Sequence, residues 1–228
     1  MNTTTTDSRW QDLYRIAGIA AIVLELIILL GFVTYFFFPY APGTQSTEDI
    51  FLLLQSNPLG GMISLDLFLF LGNLFSIALF LALYISLKSV NESYALIALA
   101  IGLIGVVLLI PSRPLSELYT LSSLYASATT AAAKNEYLIA GGTLLTLFSG
   151  TNWFMNTFLG TLSLLISALL MLRSSMYSKA TAWVGIATSV VTLGFWIPSI
   201  GIFLLFLSLP GMMLWYFLLA KRFFQMAK

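Results

Sequence analysis

Histidine and cysteine are both missing from the 228 residues, and charged side chains make up only 8% of them. Each gap excludes chemistry. Without cysteine there is no disulfide, no thiolate metal site and no c-type haem attachment. Without histidine there is no imidazole-ligated haem, no H-E-x-x-H metalloprotease site and no Ser–His–Asp triad. Glycine-rich phosphate loops of the G-x-G-x-x-G and Walker A kinds are absent as well, so nucleotides are not expected ligands. A net charge of +1 without a basic run makes nucleic acid an unexpected partner. No cofactor and no metal are expected, and enzyme activity is not expected.

What is present is apolar. Hydrophobic residues are 59% of the chain and mean hydropathy is +0.96. So little charge does not cover the surface of a soluble protein of this size, and the apolar surface must meet lipid. The bilayer is therefore the first expected partner. Runs of about twenty apolar residues mark membrane-crossing helices. They predict helices over 16–38, 59–87, 94–110, 152–172, 180–197 and 201–220. The expected fold is all-α: a polytopic transmembrane bundle of six helices forming one integral membrane domain, 1–228, after a polar tail, 1–15. The first run is too long for a signal-peptide core and reads as a retained helix. It ends in an aromatic cluster, Tyr35 to Phe38 with Tyr40, of the kind found at bilayer interfaces.

Two stretches between helices carry polar residues. Residues 40–58, with Pro42, Gly43, Glu48 and Asp49, read as a loop with one helical turn. Residues 111–151 read as an outer-side cap containing an interfacial segment between the third and fourth helices. There Pro114 is followed by Leu115, Leu118, Tyr119, Ser122 and Tyr125 at helical spacing. Lys134 to Glu136 reads as a break before a short apolar run, 137–148, too short to cross. Pro210–Gly211 predicts a kink in the sixth helix.

Basic residues set the orientation, because Lys and Arg accumulate on the cytoplasmic side. Six crossings with both termini cytoplasmic place Arg9, Arg15, Lys88, Arg173, Lys179, Lys221, Arg222 and Lys228 inside. Only Arg113 and Lys134 fall outside. The expected location is the inner (plasma) membrane.

Inside the spans, small residues line one face of several helices, as close helix packing in lipid requires. Examples are Gly18 and Ala21, then Ala98, Gly102 and Gly105, then Gly160, Ser163 and Ser167, and finally Thr181, Gly185, Thr188 and Thr192. Acids are the exception, because a charge in hydrocarbon costs about 3 kcal/mol on insertion scales. Asp66 and Asn73 lie seven residues apart, two turns of one helix, hence on one face. With Glu25, Asn152, Asn156 and Arg113 they are the candidate ligand-binding residues. Arg113 neutralises at most one of the two acids. In one reading Asp66 pairs with Arg113 and Glu25 is a neutral packing acid. In the other, the carboxylates line an outward-facing pocket for a small cationic or protonatable ligand.

Several short motifs in order resemble a family of uncharacterised prokaryotic six-helix integral membrane proteins, known as a domain of unknown function. They are Arg15-Ile-Ala-Gly18-Ile19, Trp183-Val-Gly185, Leu209-Pro210 and Lys221-Arg222-Phe223-Phe224. Relatives often carry an acid where Trp215 stands here, and an Arg-x-x-Glu arrangement where Arg113 and Glu117 are four apart. The resemblance implies the six-helix fold and no activity. Two functions follow from the residues: a non-catalytic structural or interaction subunit, with a homo-oligomer or a membrane partner, or binding and transport of a small cation through the outer pocket.

Overall fold

The computed structural model describes residues 8–37 and 45–228. The start of the polar tail and the end of the aromatic cluster (Phe38 to Tyr40) lie outside the described residues, as do the side chains of Tyr35 to Phe37. Among the described residues all regular structure is helical. These residues form ten α-helices: α1 (Gln11–Phe37), α2 (Thr47–Ser56), α3 (Pro58–Ser64), α4 (Leu67–Leu87), α5 (Glu92–Leu109), α6 (Leu115–Ser127), α7 (Ala131–Thr146), α8 (Thr151–Met171), α9 (Lys179–Leu193) and α10 (Gly201–Met226). Five stretches, Gln11–Gly31, Leu67–Leu87, Glu92–Ser127, Ala131–Met171 and Gly201–Met226, are long and apolar enough to cross a membrane. The described residues pack as two compact units, one built from those within 1–28, 72–106 and 157–228, the other from those within 29–71 and 107–156.

The first unit packs through small residues, as lipid-embedded helices must. The Ser163 hydroxyl of α8 donates to the Ala98 carbonyl of α5 at 2.6 Å. A methyl group on Gly102 would stand 2.7 Å from that same hydroxyl. The α9 face Thr181, Gly185, Thr188 and Thr192 is buried throughout. A Cβ on Gly185 would meet the Trp215 ring of α10 at 2.5 Å, one on Gly211 the Thr188 hydroxyl at 2.5 Å, and one on Gly194 the Leu204 side chain at 2.6 Å. As α9 advances its partner on α10 recedes, so the two are antiparallel along α9. Tyr14 stacks on Phe223 with centroids 6.1 Å apart, which joins the start of α1 to the end of α10.

The second unit has its own core of Ile50, Phe51 and Leu54 from α2, Leu65, Leu115, Leu118 and Tyr125 from α6, and Phe148. α2, α6 and α7 pack mutually, with α3 against α2. The Gln55 amide donates to the Ser122 carbonyl at 2.8 Å, and the Tyr125 hydroxyl donates to Glu48.

Four expectations change. Residues 59–87 are not one helix: the chain breaks between α3 and α4, and Asp66 takes a left-handed backbone with φ 67°. Aspartate tolerates that region better than most residues, and the Asp66 carbonyl then accepts from Phe70 N–H at 2.9 Å to start α4. The stretch read as a loop holds α2, whose start is a capping box. The Ser46 hydroxyl accepts from Asp49 N–H, and the Asp49 carboxylate accepts from Ser46 N–H, both at 3.1 Å. Lys134 to Glu136 does not interrupt anything. Thr130 caps α7 by accepting from Ala133 N–H at 3.2 Å, and the charged residues lie exposed on the helix surface. Finally, α10, with Pro210 inside it, runs six residues past the expected end. Phe223 and Met226 are buried, which holds that extra length.

Candidate functional site

Arg113 follows the 3₁₀ turn Ile110–Ser112, in which Pro111 ends α5 because it lacks an N–H and cannot continue the helix. Its side chain is 2% exposed, an arrangement an arginine adopts only when paired. All three guanidinium nitrogens are engaged. Nε and Nη2 each lie 3.0 Å from Asp66 Oδ2. Nη1 donates to the Ser112 carbonyl at 3.0 Å, the Ser112 hydroxyl at 3.2 Å and the Phe148 carbonyl at 3.3 Å. The flat cation also stacks over Phe148 at 4.8 Å and faces Trp153 at 5.8 Å. One side chain thus ties together the break before α4, the turn after α5 and the 3₁₀ turn Leu147–Ser149 before α8.

Asp66 reaches Arg113 because of its left-handed backbone. The spacing argument that joined it to Asn73 assumed an unbroken helix and does not apply here. Both contacts use Oδ2, and the Asp66 side chain stays 44% exposed. Glu117 is exposed and takes no part in the pair.

Asn73 lies in the other unit, where its amide donates to the Val106 carbonyl at 2.8 Å and ties α4 to α5. Glu25 is half-buried on α1 and, among the described residues, makes no hydrogen bond or ion pair. Asn152, also half-buried, likewise has none, and Asn156 is half-buried one turn further along α8. The structure therefore brings Asp66 to Arg113 and gives Asn73 a backbone partner. Among the described residues there are no groups of three or more potential metal ligands.

Sequence reasoning missed Ser112, Phe148 and Trp153 as the surroundings of the guanidinium. No spacing rule connects 112, 148 and 153, because three separate turns converge there. The α2 capping box was readable, since Ser46 and Asp49 stand three apart before an apolar run.

No protein-family model, no curated protein and no solved structure matches the chain.

Proposed function

We propose that the chain is a non-catalytic structural or interaction subunit of the inner (plasma) membrane, with six crossings and both termini cytoplasmic. Its resemblance to prokaryotic six-helix membrane proteins of unknown function is part of the same reading. The sixth crossing would be α9. Its fifteen residues rise ~22 Å, and the 3₁₀ turn after it adds ~6 Å, together close to a ~30 Å hydrocarbon core. The antiparallel register of α9 on α10, from Gly185 opposite Trp215 to Gly194 opposite Leu204, supports that reading. Charge supports it too. With five crossings Lys221, Arg222 and Lys228 would join Arg113 and Lys134 outside, and the cytoplasmic excess of basic residues would vanish.

The observation that carries the functional half is the closed state of Arg113. The outer acid, Asp66, is used to hold three turns of the chain together and faces a cation that belongs to the protein. Native mass spectrometry of the purified chain in mild detergent tests the role. A second copy, or a co-purifying membrane protein, is expected; a strict monomer without a companion would refute it.

One observation favours the second reading, binding or transport of a small cationic or protonatable ligand: among the described residues Glu25 has no hydrogen-bond or ion-pair partner. On that reading Glu25→Gln in reconstituted vesicles abolishes proton-coupled or cation flux. Flux that is equal in wild type and variant, or undetectable in both, rejects it.

A further inference from the structure

The turn between α8 and α9 and the last two turns of α10 line an open cavity of about 380 Å³. Lys221, Arg222 and Gln225 line it from α10, and Ser175, Ser178 and Thr181 line it from the turn and the start of α9. All of them belong to the first unit. The lining carries two cations and no carboxylate. Neither cation has an ion pair among the described residues. Arg222 gives one nitrogen to Gln225 Oε1 at 3.1 Å, while its Nε is buried without any acceptor. Ser178 and Thr181 share a 2.8 Å hydrogen bond, so one hydroxyl of that pair and the Ser175 hydroxyl add donors. The first turn of the fifteen-residue α9, capped by Ser178, adds its partial positive charge. Tyr177 anchors the turn from behind. Its buried hydroxyl shares a 2.7 Å hydrogen bond with Ser86 of α4, and burial pushes its pKa well above the usual phenol range, so it stays neutral.

Unpaired cations, hydroxyl donors and a helix start, with no acid among them, form a site for an oxyanion. We infer that this cavity binds a phosphate group, with Lys221 and Arg222 neutralising it and the Ser175 hydroxyl, with one hydroxyl of the Ser178–Thr181 pair, donating to its oxygens. The volume is at the small end of the 300–1,000 Å³ range of ligand sites, the size of a headgroup rather than a whole lipid. Basic pockets at the cytoplasmic ends of membrane helices hold anionic headgroups in this way. The source is either an anionic phospholipid or a soluble phosphate ester. The six-crossing topology enters only in naming the cytoplasmic leaflet, and a measurement in micelles is blind to leaflet, so the two readings fail separately.

The test is thermal unfolding of the full chain in neutral detergent, with phosphatidylglycerol, phosphatidylcholine or sn-glycerol 3-phosphate added. At a hundredfold excess over Kd a bound anion raises Tm by roughly 5 °C or more. Phosphatidylglycerol is expected to give that shift and phosphatidylcholine none. A shift with phosphatidylglycerol alone identifies a lipid-fed site; an equal shift with glycerol 3-phosphate identifies a soluble ester. The double variant Lys221→Gln/Arg222→Gln should lose the shift. If it does not fold, Lys221→Gln alone, an exposed position, should lose at least half of it. Arg173→Gln, an exposed cation outside the lining, should keep all of it. No shift with either anion, a full shift in the lining variants, or an equal loss in Arg173→Gln would overturn the assignment.

Discussion

A buried arginine is tolerable only where its charge and donors are met, and Arg113 meets that condition through Asp66, Ser112 and Phe148. Removing one partner of such a pair leaves the other charge stranded, which typically costs 3–5 kcal/mol. Asp66→Asn should therefore lower unfolding stability in detergent by about 3 kcal/mol. Replacing both partners removes the stranded charge, and asparagine also tolerates the left-handed backbone at this position, so Asp66→Asn/Arg113→Met should recover most of that loss. A double variant as unstable as the sum of the singles would show that the pair is not a coupled unit. The sequence already paired these residues as one of two readings, from a count of acids against bases. It hid the left-handed backbone that aims Asp66, because one φ value leaves no periodic trace.

At the scale of elements, what was legible depended on whether a helix obeys its own pattern. The apolar run of α5 and the helical spacing of Leu115, Leu118, Tyr119, Ser122 and Tyr125 in α6 could be read directly; four of those five are buried, and Tyr119 is exposed. The break before α4 could not, since Leu65 and Leu67 continue the apolar run on either side of it. α9 and α10 depend on glycine as a close-approach residue. Gly185→Ala would drive a methyl group into the Trp215 ring, a rigid neighbour, and overpacking of this kind costs about 1–3 kcal/mol. Gly160→Ala on α8, where nothing lies within 4 Å, should instead leave the protein as stable or gain up to about 1 kcal/mol from helix propensity. Paired melting curves separate these outcomes.

α2 adds a pH dependence. The hydrogen bonds from Ser46 hold the Asp49 carboxyl below its ordinary value of 3.8. A depressed acid stabilises the folded state above that value and loses the contribution as pH falls through its folded pKa. Hydrogen-exchange protection factors for α2 should be flat above about pH 5 and should fall in the acid range below 3.8. Ser46→Ala should lower protection at neutral pH and flatten the acid response. An unchanged profile in that variant would mean that the capping box contributes nothing to α2.

For the whole molecule, an all-helical fold rich in long apolar stretches was legible from composition and run length; the sequence predicts six such stretches, and the described residues hold five. The extent of α2, α6 and α7 as a packed unit was not, because their contacts join residues such as Phe51 and Tyr125 that lie far apart in the chain. The proposed architecture is six crossings, with α6 and α7 on the outer side and α10 ending inside. Whether α9 crosses decides it, since losing that crossing reverses the side of everything after α9. The lack of native cysteine makes the direct measurement clean. Single variants Lys134→Cys, Ser175→Cys and Lys228→Cys, probed in intact cells with a membrane-impermeant maleimide, read the side of each position. The account predicts that Lys134→Cys labels at once and that Ser175→Cys and Lys228→Cys label only after permeabilisation. Labelling of Lys228→Cys in intact cells, with Ser175→Cys protected, would contradict it.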